Sequence, residues 1–307
     1  MAVSNEDILK LRQLTGAGIM DCKRALEQAD GDSEKAVDIL RKKGVEVAAS
    51  REAKSATEGV AASYIESDGQ VGALVEVNCE TDFAARSNDF RQFAANIAMQ
   101  IADSEATSDS LDDLLQQTYI HDADLTVEES LNEVTGKLGE RVMLRRFVRY
   151  QVGEASGEGA DETTTAGTVV SYIHAGEQIG VLVEVDCESA AATQSEDFAE
   201  FCHNIAMQIA AMQPRWIRQE NVPEAVVDRE REVLSEQAKA EGKPDHIVEK
   251  MVEGRLRKFY SQVCLLDQPY IRDDDITIEE LLNELTGKLG ERLAIRRFAR
   301  YQVGEDL

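Results

Sequence analysis

Hydrophobic residues in the first 44 positions recur at helical spacing and stop at glycines. The run Asn5 to Leu14 places Ile8, Leu11 and Leu14 on one face. It halts at Thr15-Gly16-Ala17-Gly18, where two glycines permit positive φ. A second run, Met20 to Ala29, turns Met20, Ala25 and Leu26 inward. After Asp30-Gly31-Asp32, Ser33 caps a third helix with the stripe Ala36, Val37 and Leu40, ending at Gly44. Residues 1–50 therefore read as a three-helix module, marginal in size on its own. The polar stretch Arg51 to Thr57 reads as a linker.

From residue 57 the period changes, and one pattern is written twice. Residues 57–102 align without a gap on 165–210 with 25 identities in 46 positions. Residues 125–154 align on 276–305 with 22 identities in 30, so duplication rather than chance accounts for the match. Two related units follow, 57–154 and 165–305, joined through the Gly/Glu/Thr-rich stretch Gly153 to Gly167. Each predicts a strand (Gly59–Ile65; Gly167–Ile173), a turn and a returning strand (Val71–Val77; Ile179–Val185), by alternation and β-branching. A helix comes next (Asn88–Ala102; Glu196–Met212), placed after a capping Ser87 or Ser195. A second helix opens on a capping box, Thr126-x-x-Glu129 or Thr277-x-x-Glu280. Thr-Gly-Lys-Leu-Gly-Glu-Arg then turns into a last strand, Val142–Val152 or Leu293–Val303. The fold class is α+β: three antiparallel strands with helices on one face, used twice.

The second unit carries an insertion within 213–270. Pro223 starts a helix to about Ala240 with apolar positions 226, 227, 233 and 234, close to a seven-residue repeat. Glu241-Gly242-Lys243-Pro244 turns, and Asp245 caps a second helix with a stripe at 247, 248, 251, 252, 256, 259, 260 and 263. This is an αα-hairpin, about 223–263, whose arms pair and whose tip is free to meet another chain.

Composition narrows the function classes. The net charge of -26, from 59 acids and 33 bases, argues against direct nucleic-acid binding and against an anionic membrane surface. The first 50 residues are close to neutral, so the excess acid lies in the two units. No run approaches a membrane span and no secretory signal is visible, so a cytoplasmic location is expected. Five scattered cysteines without a C-x-x-C read as buried, reduced thiols. The Gly136-Lys137 and Gly287-Lys288 pairs are followed by Leu rather than Ser or Thr, and so read as turn chemistry, not a phosphate loop. His121, His174, His203 and His246 sit in no metal spacing with cysteine. No catalytic residue, metal site or cofactor is expected.

The informative stretch is Val77-Asn78-Cys79-Glu80-Thr81-Asp82-Phe83-Ala84, a loop-like segment between strand and helix. By spacing alone Phe83 could be a core aromatic. The second copy keeps the frame as Val185-Asp186-Cys187-Glu188-Ser189-Ala190-Ala191-Ala192, without the Asp-Phe pair, which favours an exposed tip present in one copy only.

Leu11-Arg12-Gln13-Leu14-Thr15-Gly16-Ala17-Gly18-Ile19-Met20-Asp21-Cys22-Lys23-Arg24-Ala25-Leu26 resembles the amino-terminal motif of the elongation factor Ts family. Glu76 to Phe83 resembles its second signature, and Lys250-Met251-Val252-Glu253-Gly254-Arg255 a third. The resemblance implies a ubiquitin-associated-like (UBA-like) three-helix module, two core subdomains and a coiled-coil hairpin. It implies a guanine-nucleotide exchange factor, not an enzyme itself, that binds the GTPase elongation factor Tu, as a homodimer or 2:2 complex among the options. It implies that Thr81, Asp82, Phe83 and Ala84 dislodge Mg²⁺ in that partner, with Ala84 standing where the family usually has Val. Arg12, Met20, Leu138 and His174 match partner-contact positions, although His174-Ala175-Gly176 departs from the family's His-Gly. Two rival readings are an adaptor using the helical module and a chaperone-like protein using the hairpin, both without exchange activity.

Overall fold

Gly16, at φ 67°, ends the first helix, its N–H donating to the Arg12 carbonyl at 2.7 Å. α1 spans Asn5–Thr15, α2 Ile19–Gln28 and α3 Ser33–Arg51. The structure, a computed structural model, describes residues 3–104, 110–154, 166–241 and 244–306, without the side chains of Asp245 and His246. Ile8 and Leu11 pack on Cys22, Ala25, Leu26 and Ala29, a stripe with true helical spacing. Leu14 and Met20 do not join it: they are 74% and 57% exposed. Thr15 takes the place one turn after Leu11, donating its hydroxyl to the Leu11 carbonyl at 2.8 Å, and Cys22 takes the inward place expected of Met20. The cap of α3 is Asp32 rather than Ser33, accepting from the N–H groups of Glu34 and Lys35.

The first unit runs β1 (Glu58–Ile65), β2 (Val71–Cys79), α4 (Asp82–Ala85), α5 (Asn88–Asp103), α6 (Leu111–Gln116), β3 (Thr118–Tyr119), β4 (Asp122–Thr126), α7 (Val127–Leu138) and β5 (Val142–Gln151). The second runs β6 (Ala166–Ile173), β7 (Ile179–Cys187), α8 (Glu196–Met212), α9 (Glu224–Ala240), α10 (Asp245–Val263), β8 (Pro269–Tyr270), β9 (Asp273–Thr277), α11 (Ile278–Leu289) and β10 (Leu293–Gln302). Two antiparallel three-stranded sheets result, β1-β2-β5 and β6-β7-β10. Both capping boxes form, whereas Ser195 stands at the start of α8 without a side-chain cap bond. The short turn α4, α6 and the two small hairpins β3-β4 and β8-β9 have no counterpart in the sequence reading.

Helices cover one face of each sheet, with Phe90 and Phe198 fully buried beneath them. The other faces meet each other. Leu74, Tyr150, Val169 and Leu182 form a separate apolar cluster between the sheets. β2 is therefore buried at every position, and the face that carries Leu74, Glu76 and Asn78 meets the other sheet rather than solvent. The contact obeys the repeat. Ala61 N–H donates to Glu177 O, and its counterpart Val169 N–H donates to Gly69 O, at 2.7 and 2.8 Å. Arg146 stacks on Tyr301 and Arg297 on Tyr150, at 4.2 and 4.3 Å from the ring centroids. The buried Glu76 accepts from Arg146 Nε at 2.8 Å and from the Gly304 N–H at 2.8 Å, so the C-terminal residues of one unit close on the sheet of the other.

Two glycines read as punctuation have other work. Gly44 does not end α3; it is buried mid-helix, where an added Cβ would stand 2.8 Å from the Asn132 carbonyl oxygen on α7. Gly136 lies inside α7, where an added Cβ would stand 2.8 Å from Gly44 Cα. Both permit two helices to touch backbone to backbone, and the turn itself falls at Gly139, φ 70°. In the second unit the matching Gly287 meets nothing within 4 Å.

α9 and α10 pair through Leu234, Ala238, Val248, Val252 and Leu256, a cluster apart from the second core. Val233 and Ile247 of the expected stripes are exposed, and Arg255 bonds Glu241 across the pair at 2.6 Å. Pro244, not Asp245, stands at the N-cap of α10, and Asp245 is its first helical residue. Gly242 and Lys243 of the expected turn and residues 155–165 of the joint lie outside the described residues. All five cysteines are buried free thiols. Among the described residues no helix is long and apolar enough to cross a membrane.

Candidate functional site

The strand β2 delivers Thr81 to the rim of the first unit, and Thr81 caps a single helical turn. Its backbone is extended (φ -131°, ψ 153°), and its hydroxyl accepts from the Ala84 N–H at 3.3 Å. This turn, α4, replaces the loop expected there. Ala84 and Ala85 face the core at 7% and 4% exposure, and Phe83 faces out at 82%, the most exposed large hydrophobic among the described residues. Asp82 pairs with Arg86 at 3.2 Å, with both side chains substantially in solvent, so the pair is easily exchanged for another partner. Ala84, of the expected contact set, is buried at 7% exposure in this chain.

Two carboxylates to which the sequence alone assigns no role hold this turn. Glu140, between α7 and β5, accepts from the Thr81 N–H at 3.1 Å and the Thr81 hydroxyl at 2.8 Å. Glu80 accepts in return from the Arg141 N–H at 2.7 Å and from Arg51, the last residue of α3, at 2.9 Å. The Arg141 N–H first, and the Arg51 guanidinium after it, hold the Glu80 carboxyl below its usual range. Cys79 donates its thiol to the Thr81 carbonyl at 3.2 Å, and burial pushes that thiol up to about 12, so it stays protonated at neutral pH.

The second unit keeps the frame. Ser189 bonds Glu291 through both N–H and hydroxyl, Cys187 donates to the Ser189 carbonyl at 3.2 Å, and Ala192 is buried as Ala84 is. Ala190 and Ala191 are exposed where Asp82 and Phe83 stand in the first, and Glu188, the counterpart of Glu80, is exposed. The signal for Glu140 was in the sequence: Thr-Gly-Lys-Leu-Gly-Glu-Arg recurs unchanged, although most of its side chains have no core to fill.

The remaining sequence-predicted residues do not contact α5 themselves in any bond or ion pair of the described residues, but their chain neighbours do. Lys137, one residue before Leu138, pairs with Asp89 of α5 at 2.6 Å and lies against Gly16, in the bend between Arg12 and Met20. Arg12 and Met20 are exposed, and Leu138 is half-buried against the first core. His174 is exposed on the β6–β7 turn, its Nδ1 3.0 Å from the Tyr172 hydroxyl. The same turn reaches α5 through Glu177, which pairs with Arg91 at 2.9 Å. Lys137 of the first unit and Glu177 of the second thus both reach the first turn of α5, the helix that follows α4, and Lys137 also lies against Gly16 of the helical module. Among the described residues no group of three or more His, Cys, Asp and Glu is arranged to hold a metal ion.

The family profile described as Elongation factor TS matches residues 80–305. Elongation factor Ts of a Nostoc species is 41% identical over 306 residues, covering 99% of this chain and 93% of that protein. Elongation factor Ts of Clostridium kluyveri is 41% identical over 305 residues (99% and 94%), and that of Trichlorobacter lovleyi 40% over 307 (100% and 94%). With the profile spanning most of the chain and the relatives nearly all of it, the chain belongs to the elongation factor Ts family, the nucleotide exchange factors of elongation factor Tu.

Proposed function

We propose that this chain promotes GDP release from elongation factor Tu by driving Phe83 into the GTPase as a wedge. Asp82 and Phe83 form the inserted tip, Thr81 fixes it, and Ala84 supports it from the core side. One observation carries the reading: a phenylalanine 82% exposed on a fixed turn in one copy of a duplicated frame, with alanine in the other.

Bound nucleotide depends on phosphate-cradling N–H groups and on Mg²⁺, which demands near-ideal octahedral geometry. A wedge that shifts one liganding element removes that geometry. By linkage, the factor weakens nucleotide as much as nucleotide weakens the factor. Burying Phe83 supplies roughly 1.5–3 kcal/mol, or one to two decades. Larger coupling needs the wider surface of Arg12, Met20, Leu138 and His174. In this reading residues 1–50 are a UBA-like docking module, 57–154 and 165–305 are the two core subdomains, and the coiled-coil hairpin 223–263 is an arm for assembly or partner contact in the cytoplasm. The test is stopped-flow release of fluorescent GDP from elongation factor Tu with and without the protein, and with Asp82→Ala. Faster release with wild type and slower release with the variant support the wedge. An Asp82→Ala protein as fast as wild type removes Asp82 from it.

A further inference from the structure

We propose that Glu140 is a positioning residue for exchange: its carboxylate holds the turn that presents Phe83. This rests on the wedge reading above and deepens it.

A helical turn of four residues does not hold itself, because nucleation fixes several dihedrals for one hydrogen bond. Phe83 has no packing of its own to orient it. Its direction is set by the backbone of α4, and that backbone is held at its start by Thr81. The Thr81 hydroxyl has one proton and gives it to Glu140 at 2.8 Å, which leaves its oxygen to accept from the Ala84 N–H at 3.3 Å. The Thr81 N–H goes to the other Glu140 oxygen at 3.1 Å. Both donors of one residue thus converge on one carboxylate from a distant connection. The reciprocal bond from the Arg141 N–H to Glu80, 2.7 Å, closes the clasp from the other side. Bonds to a charged acceptor are the stronger kind. A pre-organised tip reaches its bound state without ordering cost, so a looser turn lowers the rate of release rather than the affinity of the wider interface.

The repeat supplies an internal control. Glu291 holds Ser189 by the same two bonds, yet Ala191 stands where Phe83 would be. Loss of that clasp disturbs an equivalent turn with no wedge on it.

The experiment compares wild type, Glu140→Ala, Glu140→Gln, Glu291→Ala and Phe83→Ala in single-turnover release of fluorescent GDP from elongation factor Tu. A concentration series separates the maximal rate from the half-saturating concentration, and each variant is melted. Glu140→Ala is expected to lower the maximal rate about tenfold, equal to about 1.4 kcal/mol, at an unchanged half-saturating concentration. Glu140→Gln keeps an oxygen for Thr81 and recovers most of the rate. Glu291→Ala loses a similar amount of melting temperature and keeps the wild-type rate. A wild-type maximal rate for Glu140→Ala beside a slow Phe83→Ala overturns the positioning role and leaves the wedge standing. A wild-type rate for Phe83→Ala overturns both. Equal slowing by Glu291→Ala reduces Glu140 to a stability residue and also overturns the proposal. If Glu140→Ala has no cooperative melt, Thr81→Val, which removes the hydroxyl and leaves the carboxylate, replaces it with the same expected slowing, and a wild-type rate there overturns the proposal.

Discussion

Gly136 and Gly287 occupy the same place in matched helices, and alanine should stabilise at Gly287 but not at Gly136. Helix propensity favours alanine over glycine by roughly 1 kcal/mol at both sites, so it cancels between them. Space does not. An added methyl at Gly287 meets nothing within 4 Å, and Gly287→Ala should stabilise by about 0.5–1 kcal/mol. At Gly136 the methyl would stand 2.8 Å from Gly44 Cα and 3.5 Å from Gly44 N, both backbone atoms that cannot rotate away. α3 and α7 must separate, and overpacking of this kind costs about 1–3 kcal/mol. Gly136→Ala should therefore be neutral to destabilising by roughly 2 kcal/mol, and the two variants should differ by about 1–3 kcal/mol. Denaturant titration gives the difference directly, and calorimetry should place Gly287→Ala above wild type and Gly136→Ala at or below it. The contact also fixes the helical module to the first unit, so Gly136→Ala should raise the half-saturating concentration for GDP release while Gly287→Ala leaves it unchanged. Equal stabilisation by both alanines would refute the backbone contact between α3 and α7.

Glu80→Gln tests the second acid of the clasp through pH. Its folded carboxyl lies below the usual 4.5, so at acid pH the unfolded chain binds the extra proton, and this group's stabilisation is present above 4.5 and lost as pH falls through the lower folded value. The variant should melt below wild type at neutral pH and converge on it in acid; a gap that stays constant across the series speaks against the ion pair and backbone bond as the cause. Replacing α9 and α10 by a short Gly/Ser link should leave a cooperative melt, since their apolar cluster is separate from the second core. A molten product would make the hairpin part of that core.

The repeat made most of the two units legible, because each strand, cap and helix was written twice and each copy supported the other. The exposed tip was legible for the same reason: Ala191 could hold the frame, so Phe83 was not needed by it. Contacts between units were hidden. The fully buried β2 reads as an ordinary half-buried strand until the second sheet is placed on its other face, and nothing local in Val71 to Cys79 names that neighbour. Gly44 and Gly136 read as helix ends in sequence because glycine ends helices more often than it lets them touch. Spacing alone turns Met20 and Leu14 inward, but both lie within one turn of a bend, where Cys22 is buried and Thr15 bonds back to the Leu11 carbonyl. An acid in a turn motif is usually solvated, and only the fold brings Glu140 to Thr81.

The central claim is that one side chain, present in one copy, performs release. Single-turnover GDP release from elongation factor Tu at saturating Phe83→Ala tests it most directly, with Ala191→Phe and melting curves beside it. The account expects Phe83→Ala to be slower by about one to two decades, from the burial of a fully available phenylalanine. The fold should survive, since the second unit carries alanine on an equivalent turn. Ala191→Phe should release no faster than wild type. A Phe83→Ala protein that releases GDP at the wild-type maximal rate, or one that loses its cooperative melt, would contradict the account.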